Sequence, residues 1–130
     1  MPTDQLTVRS ITGSQTTAGA AEETVAISLD GSAPAASVAV AAGTTLLISD
    51  WVCTATNAAS WRLQQANDGV TWFDTFLLRQ PTDGTVGVSE FGTGIKIVGG
   101  PTVAIRVRTT TPGGATAVTT SLRAYSEAAV

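Results

Sequence analysis

Histidine is absent from the chain, and cysteine occurs only once, at Cys53. Without histidine there is no Ser-His or Cys-His nucleophile system and no histidine-based metal site. One cysteine can form neither an intramolecular disulfide nor a thiolate cluster. We therefore predict a protein that is not an enzyme, with no metal site and no cofactor. We interpret Cys53 as a small buried apolar residue inside a strand.

Charge is also scarce. Charged residues make up 13% of the chain and the formal net charge is -3, whereas a soluble domain has roughly 25% charged residues. Lys96 is the single lysine and the arginines are scattered, so we expect no nucleic-acid partner. Such a neutral surface is expected where other subunits cover the protein, although a small β-rich domain can have it alone.

Long apolar runs are missing too. No run approaches the roughly 18 residues that span a bilayer. Residues 1–5 lack the positive segment followed by an apolar one that marks a signal peptide. We expect no membrane partner and no classical secretion.

What the chain does contain is short runs of alternating apolar and polar residues, separated by turn residues such as Asp83-Gly84 and Gly99-Gly100-Pro101. Alternation of this kind predicts strands with one buried and one wet face. About ten such runs predict an all-β fold, an antiparallel β-sandwich of the jelly-roll type. The runs are residues 6–11, 24–30, 37–40, 45–54, 60–65, 71–78, 85–91, 95–98, 103–108 and 118–125.

The N-terminal part differs from the rest. Residues 12–23 have small side chains and no periodicity, which is typical of a loop or linker. We therefore divide the chain into an N-terminal extended arm and linker, residues 1–23, and a β-sandwich domain, residues 24–130. The strand-like residues 6–11 either pair with the sheet edge of a partner subunit or belong to the sheet of their own domain.

Tryptophans are the large side chains most suited to binding. Trp61 alternates in phase with Leu63, and Trp72 with Phe76 and Leu78, so we place both in the core. The strand around Trp51 is apolar on both faces, which favours an intersubunit surface on one of them.

Two clusters of charge are conceivable. Two of Asp50, Asp74 and Glu90 could face each other as a glycosidase pair, but solvated acids are far commoner and the hypothesis is weak. Arg106, Arg108 and Arg123 would form a basic strip if their strands were neighbours; otherwise they are outward-facing solvated arginines.

Residues 40–52, VAAGTTLLISDWV, followed by residues 61–73, WRLQQANDGVTWF, resemble the β-sandwich or jelly-roll head decoration proteins of bacteriophages, also called cement proteins. The resemblance covers roughly residues 25–126. Its elements are a strand-turn-strand rhythm and an Asn-Asp-Gly hairpin between tryptophans, which are not specific motifs.

The resemblance implies a structural virion protein on the capsid exterior, made in the host cytoplasm, that stabilises contacts between capsomers. Its partners would be the major capsid protein and two further copies in a homotrimer. The candidate capsid or subunit interface is then Leu6, Val8, Arg9, Ile11 and Trp51. The alternative is a carbohydrate- or receptor-binding module of a phage tail or baseplate, which an exposed Trp51 would favour.

Overall fold

The computed structural model describes residues 5–19, 21–89 and 94–128. Within these ranges the chain is all-β, with eleven strands and no helix. The strands are β1 (Gln5–Thr16), β2 (Glu23–Val25), β3 (Ser28–Leu29), β4 (Val38–Ala39), β5 (Thr44–Ala55), β6 (Ala59–Ala66), β7 (Trp72–Gln80), β8 (Gly84–Ser89), β9 (Ile95–Val98), β10 (Ala104–Thr110) and β11 (Ala117–Ala128).

Two antiparallel sheets pack face to face, which confirms the predicted β-sandwich. The front sheet has the order β3-β1-β11-β5-β8, and β9 continues along the same edge of β5 as β8. The back sheet has the order β2-β10-β6-β7, and β4 lies along the same edge of β10 as β2. Each sheet therefore has one edge built from two short strands.

The segment between β2 and β4 ties the sheets together. It leaves the back sheet after Val25, pairs with β1 of the front sheet through β3, and returns to β10 at Val38. Where it crosses, a Cβ built on Gly13 would lie 2.3 Å from the carbonyl oxygen of Ala26. Only glycine allows the two backbones to approach this closely.

The N-terminal region requires a correction. All twelve residues of β1 pair with β11 of the same chain. Residues 12–16, which sequence analysis assigned to a linker, belong to this strand, so residues 5–16 form an integral strand of the front sheet. Of the two alternatives for residues 6–11, pairing within the domain is the one observed. Residues 1–4 of the predicted arm lie outside the described residues.

A β-bulge in β5 decides where Trp51 points. Ile48 pairs with Ala124 and Asp50 pairs with Arg123, which leaves Ser49 without an opposite residue. One extra residue reverses the inside-outside alternation of a strand. Ile48 and Trp51 therefore both face the core, and the apolar residues left on the outer face of β5 include Leu47 and Val52 but not Trp51.

A second bulge, in β7, has the reverse effect on Trp72. Leu63 pairs with Phe76 and Gln64 pairs with Asp74, so Thr75 is the extra residue, and its hydroxyl donates to the carbonyl of Leu63 at 3.0 Å. Phe76 faces the core as predicted, but Trp72 lies on the outer face and is only half-buried. The prediction of a core Trp72 is wrong because it assumed unbroken alternation.

The core lies between the two sheets. Trp51 and Trp61 are its largest fully buried side chains. Trp51 meets Phe76 edge to face, with ring centroids 6.4 Å apart, and this contact links β5 to β7 across the sandwich. Trp61 and Cys53 are both 0% exposed, as predicted.

Candidate functional site

The acidic residues considered for catalysis do not come together. Asp50 lies on the front sheet, 3.8 Å from Arg123. Asp74 lies on the outer face of the back sheet, 3.3 Å from Arg62. Glu90 lies outside the described residues. Because Asp50 and Asp74 are on different sheets, they cannot flank one glycosidic bond.

The described residues also contain no group of three His, Cys, Asp or Glu side chains that could hold a metal ion. In the same ranges, no helix is long and apolar enough to cross a membrane.

Two of the five predicted interface residues are core residues. Ile11 and Trp51 are both 0% exposed. The indole Nε1 of Trp51 donates to Oγ1 of Thr120 at 2.8 Å inside the core. Neither side chain has surface to offer a partner, and this corrects their assignment to an interface.

The other three differ in position. Val8 is 64% exposed on the outer face of the front sheet. Arg9 instead pairs with Asp30, with Nε 2.6 Å from the carboxylate, and its Nη1 reaches Oγ of Ser126. Leu6 is in β1, and its backbone pairs with that of Glu127 in β11. The side chain of Leu6 lies outside the described part of the structure. Val8 remains a candidate contact residue.

The outer face of the front sheet is rich in small hydroxyls, and it also carries the charged side chains of Arg123, Asp50 and Lys96. Directly opposed pairs such as Ser14 with Thr119 and Thr54 with Thr119 run across it, and the hydroxyls of Thr54 and Thr119 are hydrogen-bonded. At one end, Tyr125 pairs with both Val8 and Leu47 to give an apolar row. We call this surface the hydroxyl face: Val8, Thr12, Ser14, Leu47, Thr54, Thr119, Ser121 and Tyr125.

The outer face of the back sheet is quite different, because arginines dominate it. Arg62 of β6 and Arg108 of β10 are directly opposite each other. Glu22 lies between them: its two oxygens accept from Nε and Nη2 of Arg62 at 2.7 and 2.8 Å, and it is 3.3 Å from Nη2 of Arg108. Like charges opposite each other are destabilising, so Glu22 offsets this repulsion. The partnership with Glu22 raises the pKa of Arg62.

Beside this group is a linked chain of polar side chains. The Nε of Arg106 donates to Oε1 of Gln64 at 2.8 Å, and Nε2 of Gln64 donates to Oδ1 of Asp74 at 3.0 Å. The guanidinium carbon of Arg106 lies 4.3 Å from the ring centroid of Trp72. Gln64 is almost fully buried, so the orientation of Arg106 is fixed from two sides. We call this surface the arginine face: Glu22, Arg62, Gln64, Trp72, Asp74, Arg106 and Arg108.

The basic strip takes a different form from the one considered in the sequence. Arg106 and Arg108 are on β10 of the back sheet, whereas Arg123 is on β11 of the front sheet. Arg62, on the strand next to β10, is their actual neighbour. The condition for the strip, that the three strands are neighbours, is therefore not met for Arg123.

A small cleft opens at the edge where the two sheets separate. Its volume is about 210 Å³, and apolar side chains including Val38, Val40 and Leu46 line it, with Arg9 at its rim. Sites for drug-sized ligands span about 300–1,000 Å³. This cleft is smaller than such a site. Two wider depressions, of about 430 Å³ beside Thr12 and about 470 Å³ beside Thr54, are lined mainly by threonine, serine, alanine and glycine. They lack the large apolar and aromatic walls of a ligand site, so the outer faces are the stronger candidates for binding.

No family model, curated protein or solved structure matches the chain. The functional argument therefore rests on its own residues.

Sequence reasoning missed the arginine face as a unit. The alternation of Arg106 and Arg108 on one strand correctly predicted that both face outward. The pairing of β10 with β6, which brings in Arg62, is a long-range contact that alternation does not encode. The outward turn of Trp72 depends on the bulge at Thr75, for which the local sequence carries no distinct signal.

Proposed function

We propose that the protein is a structural virion subunit: a decoration, or cement, protein that binds the outside of a bacteriophage capsid and stabilises contacts between capsomers. The observation that carries this proposal is the strand order. We propose further that the sandwich is a jelly roll, an architecture frequent in viral capsid domains.

The jelly-roll interpretation follows from treating each interrupted edge as one strand position. β2 with β4 is then the second position and β8 with β9 the sixth, so that β1 is the first and β11 the eighth. If β3, the two-residue strand that adds to the outer edge of β1, is set aside, the front sheet contains the first, eighth, third and sixth positions in that order. The back sheet contains the second, seventh, fourth and fifth. This order agrees with that of a jelly roll, which supports the proposal.

The character of the surface supports a role in assembly. Interfaces between subunits combine apolar contact with hydrogen-bonding groups and few charges at their centre. The hydroxyl face combines the exposed Val8 and Tyr125 with rows of threonine and serine, and the charges between them, Arg123 and Asp50, are opposite in sign and 3.8 Å apart. We propose that it forms the contacts between copies in a homotrimer.

Assembly on a shell also explains how modest contacts can suffice. Once one subunit of a trimer is bound, the others meet the capsid at a high effective concentration. The major capsid protein is the partner that this function requires.

The second candidate, a receptor- or carbohydrate-binding module of a phage tail, rests on a different tryptophan from the one first considered. Trp51 is buried, whereas Trp72 lies on an outer face beside Arg106. Sugar binding would need the ring of Trp72 as a stacking surface. Because the guanidinium of Arg106 already lies over that ring, we rank this candidate second.

Electron microscopy with an antibody raised against the folded chain tests the location. Virus particles released from the source culture should carry gold label evenly over the head. Label confined to the tail or baseplate would favour the second candidate. Particles without label, together with chain found only in the cell lysate, would overturn the proposal of a virion protein.

A further inference from the structure

We infer that the arginine face docks an acidic peptide segment of a partner protein, with a carboxylate accepting hydrogen bonds from the two Nη atoms of Arg106. This inference deepens the proposed function, because on a capsid the partner would be the major capsid protein.

The first support is the free donor capacity of Arg106. Its Nε is bound to Gln64, but among the described residues its Nη atoms have no hydrogen-bond partner. The guanidinium is held by stacking on Trp72 and by the hydrogen-bonded chain from Asp74 through Gln64. A planar guanidinium fixed in this way offers two parallel N–H groups, the geometry that a carboxylate accepts.

The second support is local charge. The arginine face has three arginines, Arg62, Arg106 and Arg108, against two carboxylates, Glu22 and Asp74. It is therefore locally cationic on a protein whose formal net charge is -3. An acidic partner segment complements this face and is repelled by the rest of the surface.

Apolar surface beside the arginines favours a peptide over other anions. Leu77 is 58% exposed and directly opposite Arg62. Tryptophan and arginine are frequent anchors of protein interfaces. A nucleic acid would require many more cationic contacts than this face supplies.

The test uses hexaglutamate as the probe and hexaglutamine as the neutral control. In NMR spectra at low salt, hexaglutamate should shift the Nε–H signal of Arg106 and the indole signal of Trp72, and hexaglutamine should shift neither. The variant Arg106→Gln should weaken hexaglutamate binding by about tenfold or more. Arg106→Lys keeps the charge but loses the paired donors, and should weaken binding by a smaller factor.

Arg123→Gln is the matched control, because it removes the same charge from the front sheet, where Arg123 is 67% exposed. It should change hexaglutamate binding less than about twofold. Equal effects of Arg106→Gln and Arg123→Gln would overturn the inference, because binding would then follow net charge alone. Tighter binding of an oligothymidylate than of hexaglutamate would overturn the assignment to a peptide.

Particle binding separates this inference from the proposed function. If the wild-type protein and Arg106→Gln bind capsids equally well, the docking inference is wrong and the decoration function stands. If the wild-type protein binds hexaglutamate through Arg106 but does not bind capsids, the decoration function is wrong and the peptide site stands.

Discussion

The indole of Trp51 donates its hydrogen bond to the hydroxyl of Thr120 within the core, whereas the indole Nε1 of Trp61, which is equally buried, has no acceptor among the described residues. Two core tryptophans of the same size thus differ in one interaction. A satisfied buried hydrogen bond contributes about 1 kcal/mol, and a buried unsatisfied donor is itself costly.

Trp51→Phe should therefore destabilise the protein more than Trp61→Phe does. Both variants lose ring volume, so the difference between them reports the hydrogen bond to Thr120. We expect a difference of about 1 kcal/mol in the free energy of unfolding, measured by urea denaturation with circular dichroism. An equal or larger loss in Trp61→Phe would contradict this assignment.

Glu22→Gln should lower the free energy of unfolding at low salt, and the stability of the variant should rise when salt is added. Without the carboxylate, Arg62 and Arg108 repel each other across neighbouring strands. We expect a loss of about 1 kcal/mol at low salt. Added NaCl should partly restore the stability of the variant, because salt screens repulsion. Asp83→Asn, the same change of charge in an exposed turn, should show neither effect in denaturant titrations.

The thiol of Cys53 should be unreactive in the native protein. Burial raises its pKa to about 12, although the hydrogen bond with Thr120 opposes the shift. Thiolate is the reactive form, so labelling by an aromatic disulfide at pH 8 should proceed only as fast as the protein unfolds. Rapid labelling without denaturant would show that Cys53 is accessible.

The same shift predicts a pH dependence. The neutral thiol is favoured in the folded state. Its contribution to stability is therefore complete below pH 9, the ordinary pKa of a cysteine thiol, and is lost as the pH rises towards 12. Cys53→Ala should lose less stability than the wild-type protein across this range. The comparison needs thermal unfolding of both proteins at matched pH values.

Gly13→Ala should disturb the crossing between the two sheets. The new Cβ would lie 2.3 Å from the backbone oxygen of Ala26, which cannot move aside as a flexible side chain can. We expect a loss of about 2 kcal/mol. Gly113→Ala is the control, since its Cβ would approach only the side chain of Asn57, at 3.4 Å. A similar cost for both variants in thermal unfolding would show that the crossing tolerates a methyl group.

The fold could be predicted from the sequence to a large extent because alternation is a local property. The runs proposed around residues 95–98 and 60–65, for example, correspond to β9 (Ile95–Val98) and β6 (Ala59–Ala66). β1 was predicted too short, because Gly13, Ser14 and Thr16 are small or polar residues typical of loops. Its pairing with β11 supplies the hydrogen bonds that hold these residues extended.

The candidate site was harder to predict because it depends on two single-residue insertions. Ser49 turns Trp51 inward and Thr75 turns Trp72 outward. Both tryptophans were therefore assigned to the opposite side from the one they occupy. A bulge is specified by pairing with a partner strand, so neither was visible in its own run of sequence.

Co-sedimentation with capsids tests the proposed function most directly. Capsids purified from a virus strain that lacks the gene for this chain should bind the recombinant protein to saturation. Bound protein should raise the temperature at which these capsids release their DNA. If the chain remains in the supernatant and leaves the release temperature of the capsids unchanged, it is not a decoration protein.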